Sequence, residues 1–296
     1  MSINKIEIAQ WFKSLQDAIC ESLSIADGKE KFAEEFWQRK EGGGGRTRIL
    51  QNGHVIEKGG VNFSEVYGDI PDFLVREHPA SGSQSFYATG LSIVIHPINP
   101  WVPIIHMNIR YFELGDAAKW FGGGIDLTPH YVDEADASFF HESLKKVCDQ
   151  FNPSYYPEFN KWAEDYFYIK HRKETRGIGG LFFDRLGETN DFSLENRFEF
   201  IKAVGKSFAP VYTVLLEKNK DRKYGEREKQ WQYIRRGRYA EFNLVYDKGT
   251  RFGLETNGRI ESILMSLPPQ ANWVYNFQPE KDSPEEKTLT FLHRDM

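Results

Sequence analysis

The apolar positions of the chain change period several times, and each change predicts a change of element. From Ile3 to about Gln38, Ile8, Trp11, Phe12, Leu15, Ile19 and Leu23 recur at helical spacing, until "EGGGGRTR" breaks the run. Residues 1–40 therefore read as an N-terminal helical segment. Between Gly53 and about Glu113 the pattern becomes short alternating runs, "HVIEKGGVNFSEVYG", "FYATGLSIVIHP" and "VPIIHMNIRYFE", which predict strands. Helical spacing returns in "DEADASFFHESLKKVCDQF", "YPEFNKWAEDYFYIKHRKE" and "SLENRFEFIKAVGKSFAPVYTVLLEKNK". The tail "RYAEFNLVYDKGTRFGLETNGRIESILMSLPP" reads as three strands joined by an Asp-Lys-Gly-Thr turn and an Asn-Gly hairpin turn. With no internal repeat and no long linker, this order predicts one α+β domain over residues 1–296, built around a large antiparallel β-sheet.

Composition narrows the picture further. A net charge of -5 gives no general field for nucleic acid or anionic lipid, so any anion site must be a local cluster. Two cysteines, Cys20 and Cys148, lack CxxC spacing and support neither a disulfide framework nor a zinc ribbon, which makes a reducing compartment the expectation. The N-terminus carries acids within a helical period, unlike a secretory signal, and no run reaches the ~18 apolar residues of a membrane span. A cytoplasmic protein is expected.

The chemistry begins in "SIVIHPINPWVPIIHMNIRYFE". Alternate side chains of a strand share a face, so His106, Asn108 and Arg110 lie on one face, with Ile105, Met107, Ile109 and Tyr111 on the other. Ser92 and His96 share a face in the preceding run, and pairing of the two runs would join both polar sets. Either that surface meets only water, or it binds an anionic ligand and moves a proton. Three glycine-rich stretches, "EGGGGRTR", "WFGGGIDLTP" and "RGIGGLFFD", match no nucleotide fingerprint and permit tight turns or close backbone approach to a bulky ligand. Asp126 follows one of them and reads either as a site acid or as a cap for a helix starting near Tyr131. Arginines cluster at Arg46 and Arg48, at Arg172 and Arg176, at Arg235, Arg236 and Arg238, and at Arg259; such runs are solvated surface or carboxylate forks. Four of the eight histidines, His96, His106, His141 and His171, match no zinc signature by spacing.

Together, "FYATGLSIVIHPINPWVPIIHMNIRYFE", "WFGGGIDLTP", "HRKETRGIGGLFFD", "RRGRYAEFNLVYDKGTRFGL" and "RIESILMSLPP" resemble the oxygen-dependent coproporphyrinogen-III oxidases of haem biosynthesis, from about Phe32 to the C-terminus. The resemblance implies a large antiparallel sheet flanked by helices on both faces. It also implies conversion of two propionates of coproporphyrinogen III to vinyl groups by dioxygen, with release of carbon dioxide and hydrogen peroxide, giving protoporphyrinogen IX. His106 and Asp126 are the catalytic residues it implies, Asp126 hydrogen-bonding pyrrole N–H groups. Ser92, Asn108, Ile109, Arg110, Arg172, Arg176, Asn257, Gly258 and Arg259 are the substrate contacts, Asn257 standing where the family usually has a second glycine. A homodimer formed partly through residues 239–275, a strand-rich segment on the reading above, is implied too. Family members divide over cofactors: some need none, the expectation here with dioxygen as co-substrate, and others use a divalent metal such as manganese on ligands matching His96, His106, His141 and His171. A non-catalytic tetrapyrrole carrier is the first rival reading. A nucleic-acid-binding protein, resting on "RRGRY", is the second, and the acidic balance argues against it.

Overall fold

The structure, a computed structural model, describes residues 3–70, 85–115, 117–255 and 258–294. Its framework is a sheet of seven antiparallel strands in the order β1 (Ala33–Gln38), β2 (Gly43–Gln51), β3 (Ile56–Asp69), β4 (Ser85–Pro97), β5 (Ile104–Leu114), β6 (Ala118–Thr128) and β9 (Gly180–Gly187). Short strands β7 (Tyr168–Ile169) and β8 (Glu174–Thr175) form a separate pair. Between β6 and β9 the chain crosses α2 (Glu134–Asp149) and α3 (Tyr155–Tyr166), and α4 (Leu194–Asn219) follows β9.

Alternation along β5 divides the sheet into two faces. Ile105, Met107 and Ile109 are fully buried with Leu91, Ile93, Phe121 and Ile125 beneath α1 (Lys5–Asp27) and α4, whose Ile8, Phe12, Leu15, Ile201, Val204 and Phe208 complete the main core. The helices approach closely at Gly205, where a Cβ would stand 2.7 Å from Leu15 and 3.0 Å from Ile109. The other face is crossed by α5 (Glu226–Val245) and α7 (Ile260–Leu264): Tyr239 packs on Val94 and Ile104, and Ser262 accepts from the Asn62 side chain through its carbonyl. Helices thus cover both faces. α6 (Lys248–Glu255) links α5 to α7, and α8 (Pro284–Leu292) packs beyond α5.

Two readings of the chain are corrected. The expected N-terminal helix to about Gln38 ends at Asp27, because Gly28 takes a left-handed cap at φ 73°, and residues 33–38 pair with β2 as an edge strand. Residues 239–275 hold helix and loop among the described residues, not three strands. Their aromatic alternation imitates a strand, yet Gln232, Arg236, Tyr239 and Asn243 are buried at helical intervals of four, three and four. The glycine-rich stretches also proved to be largely strand: they open β2 and β9 and run through β6.

Candidate active site

The register of β5 builds the site. His106 lies opposite Val94 and Asp126, Asn108 opposite Ser92 and Gly124, and Arg110 opposite Gly90 and Gly122. Directly opposed residues share a face, so these groups form one floor, about 13 Å from His106 to Arg110 at strand rise. Gly90, Gly122 and Gly124 contribute no side chains to its middle, and Asp184 and Arg110 lie over Gly122. At Gly124 a Cβ would stand 2.6 Å from the Leu181 carbonyl, so strand spacing itself excludes a larger residue. Beyond Arg110 the same face turns apolar: Phe86, Phe112 and Trp120 form a wall, with ring centroids 6.0 Å apart for Phe86–Phe112 and 4.8 Å for Phe112–Trp120. Phe182 lies opposite Gly124 on β9 and stacks on Tyr166 at 4.0 Å. Arg110, 37% exposed, reaches Asp184 at 3.0 Å and Asn108 at 3.3 Å.

At the other end of the floor a chain of polar groups enters the protein. His106 Nδ1 donates to Asp126 Oδ1 at 2.7 Å, which leaves Nε2 as the other ring nitrogen of a side chain 20% exposed. Arg176 Nη2 donates to Asp126 Oδ2 at 2.7 Å, and its Nη1 to Asn243 Oδ1 at 2.8 Å. The Arg176 guanidinium sits among three rings, 4.3 Å from Phe167 and 4.7 Å from Tyr239 and from Phe242. Burial pushes the Asp126 carboxyl up, but Arg176 and His106 more than offset this and hold it below the usual carboxylate range. Asp126 is therefore an anion fixed between a cation and an imidazole. Such an arrangement fixes a tautomer: with Nδ1–H bound to the carboxylate, Nε2 is free to take or give a proton.

The other expected site residues fall in different places. Asp126 is 1% exposed, and its two oxygens are engaged by His106 and Arg176; it does not cap a helix, the cap of α2 being Asp133. Arg176, 2% exposed, is likewise committed within the protein. Arg172 forks onto Glu241, with Nε at 3.0 Å and Nη2 at 2.7 Å, away from the floor. The Ile109 side chain lies in the core on the opposite face. Gly258 bonds to Gly253, and Arg259 pairs with Glu35 of β1, four strands from β5 or about 19 Å at sheet spacing. Asn257 lies outside the described residues. Ser92, Asn108 and Arg110 remain on the floor. Asn243, Asp184 and the aromatic wall escaped the sequence reading: Asn243 fell in a run taken for strand, and only alternation of Phe112 with Arg110 hinted at the wall.

The four histidines do not converge. His96 is fully buried, donates from Nε2 to the Ser266 carbonyl at 2.8 Å, and has its pKa driven well below the ordinary value by burial and by Arg236. Both ring nitrogens of His141 are engaged, by the Ile178 carbonyl and the Tyr156 hydroxyl, and both of His171, by Glu241 and the Tyr246 hydroxyl. Among the described residues no group of three or more His, Cys, Asp or Glu side chains is gathered to hold a metal. The expected ligand set therefore does not fit a metal within one chain.

Fold and site define a class: an α+β protein whose antiparallel sheet presents a glycine-rich polar face, aromatic at one end and ending in a His106–Asp126–Arg176 chain at the other. The profile of the family described as coproporphyrinogen III oxidase matches residues 7–296. Proteins named oxygen-dependent coproporphyrinogen-III oxidase from Coxiella burnetii strains RSA 331 / Henzerling II and RSA 493 / Nine Mile phase I are 50% identical over 290 residues, covering 96% of this chain and 93% of theirs. The chain belongs to the coproporphyrinogen III oxidase family.

Proposed function

We propose that this protein carries out the oxygen-dependent oxidative decarboxylation of coproporphyrinogen III to protoporphyrinogen IX in haem biosynthesis. The observation that carries the reading is the His106–Asp126–Arg176 chain on the polar face of β5 and β6, in a chain half identical to relatives of that name. A flat macrocycle suits a strand surface that has no side chain at Gly90 and Gly124, and Arg110 offers a guanidinium for a propionate.

For each propionate, a C–H bond of the methylene next to the ring breaks and its electron pair passes to dioxygen, while the pair of the bond to the carboxylate becomes the vinyl double bond and carbon dioxide leaves. Dioxygen, with those two electrons, the methylene proton and one proton from the medium, becomes hydrogen peroxide. His106 Nε2 takes or returns the proton, and Asp126 stabilises the imidazolium when it forms. No step is routed through a metal. Loss of activity in chelator and its return with manganese would overturn that part.

A homodimer and a cytoplasmic location belong to the same proposal. Leu244, Val245, Ile260, Trp273, Val274 and Tyr275 are exposed, Tyr275 at 99%, and offer apolar surface for a second copy; sedimentation tests this. Cys20 and Cys148 are free and buried, in keeping with a reducing compartment, and no described helix is long and apolar enough to cross a membrane.

The deciding experiment mixes the protein with coproporphyrinogen III without oxygen, admits air, and separates the oxidised porphyrins. Protoporphyrin formed only after air is the expected result. Unchanged substrate that co-elutes with the protein would make it a carrier instead.

A further inference from the structure

Asp184 stands beside the site and takes no part in the chemical step. An uninterrupted strand would send Phe183 and Leu186 to opposite faces, yet both pack in the main core. β9 reconciles the two with a bulge: Asp184 and Arg185 together oppose Gly122, and Arg185 takes a left-handed backbone at φ 55°, which a residue with a Cβ adopts at a cost. The bulge lays Asp184 over Gly122, where a Cβ would collide with Asp184 Oδ1 and stand 3.1 Å from Nε and Nη2 of Arg110. A glycine in β6 and a strained residue in β9 thus permit a single contact, that of Asp184 with Arg110.

The contact is a loose one. Arg110 Nη2 stands 3.0 Å from Asp184 Oδ1, but the two lack the alignment of a hydrogen bond, and Oδ1 has no hydrogen-bond partner among the described residues. The directed bond of the Arg110 guanidinium runs instead from Nη1 to Asn108 Oδ1 at 3.3 Å. Both members of the pair are partly exposed, where water screens an ion pair and its contribution is small. A propionate that meets the guanidinium with two parallel N–H···O bonds is the stronger partner. It cannot share Arg110 with Asp184, because two carboxylates a few ångströms apart repel and because Asp184 covers the floor at Gly122.

We propose that Asp184 is an internal stand-in for a substrate propionate: it neutralises Arg110 in the free protein, yields the guanidinium when a substrate carboxylate arrives, and takes it back when that carboxylate leaves. Asp184 is then a positioning residue that acts through Arg110 and sets substrate affinity below what Arg110 alone would give. The inference rests on the reading of Arg110 as a propionate site and is independent of the oxidation step.

Fluorescence titration of the full chain with coproporphyrin III, which carries the substrate's four propionates on an oxidised ring, tests it beside steady-state turnover of coproporphyrinogen III. Asp184→Asn should bind coproporphyrin III roughly threefold to tenfold more tightly than the native protein and lower KM in proportion, without raising kcat. Asp184→Ala, which leaves no polar group over Gly122, should do the same, and the gain should shrink as salt is added. Arg110→Ala should weaken binding about tenfold or more. A side chain that only braced Arg110 would give the opposite sign, so weaker or unchanged binding in both Asp184 variants would overturn the proposal. Tighter binding in the Asp184 variants with no protoporphyrin formed by the native protein would uphold the exchange and overturn the oxidase reading. Native protein that does not bind coproporphyrin III would overturn both.

Discussion

The two faces of β5 carry different kinds of organisation, although they are made by neighbouring residues of a single strand. Met107 and Ile109 are wholly buried under α1 and α4, where close packing holds them and where nothing polar is asked of them. His106, Asn108 and Arg110, one residue out of phase, stay partly exposed over a floor of glycines, and their positions are set by contacts with Asp126 and Asp184. Stability resides on the first face and chemistry on the second. The division is possible because a strand alternates its side chains, so one element can anchor a core and present a site without compromise between them.

The largest expected effect comes from separating the faces at adjacent residues. His106→Ala should lower kcat by roughly 10²–10⁴, the usual worth of a general acid or base, with little change in melting temperature. Met107→Ala should destabilise the fold by about 2–5 kcal/mol while each folded molecule stays active. Equal loss of stability in both variants, measured by denaturant titration, would refute the division. Next comes the buried pair beneath the site: Asp126→Asn strands the Arg176 cation and should cost about 3–5 kcal/mol as well as turnover. Adding Arg176→Met should restore much of that stability and none of the activity. A smaller effect is expected on the floor, where Asn108→Ala should raise KM with little change in stability; an unchanged KM would mean that substrate does not lie there.

The mildest effect is on pH dependence. His96 and His130 are fully buried, and burial with Arg236 nearby lowers the pKa of each well below its ordinary value. The unfolded chain therefore binds more protons than the native one once pH falls below about 6.5, and stability declines from there by at most about 1.4 kcal/mol per pH unit for each histidine. His130→Gln should flatten that slope between pH 6.5 and 5. A slope unchanged in this variant would assign the acid sensitivity to other groups such as His96; it would not assign it to Glu241, whose carboxyl burial pushes up but Arg172 and His171 hold down to about 2, so that its contribution is lost only below about 4.5.

Much of this was open to reading from local pattern. Period-two alternation placed β3, β4 and β5, and the 3.6-residue period placed α1 to α4, because those periods follow from backbone geometry alone. Parity along β5 put His106, Asn108 and Arg110 together before any pairing was known. Local pattern misled where two periods coincide: "RYAEFNLVY" alternates like a strand, and only packing of Tyr239 and Asn243 against the sheet at helical intervals decides for α5. Glycine runs misled for a related reason. Their meaning as turn or strand depends on what lies beside them, and here it is the neighbouring backbone.

Sequence by itself determined the α+β class, the polar face of β5 and the family resemblance, since these rest on residue order over short spans or long motifs. Tertiary structure decided the partners. Asp126 and Arg176 stand 50 residues apart and Arg176 and Asn243 a further 67, so nothing local could tell that the acid bonds to the imidazole, that Arg176 bonds to Asp126 and Asn243, or that among the described residues the four histidines do not gather. The role of a charged side chain is fixed by which opposite charge reaches it first inside a low-dielectric interior, and that is a property of the folded chain.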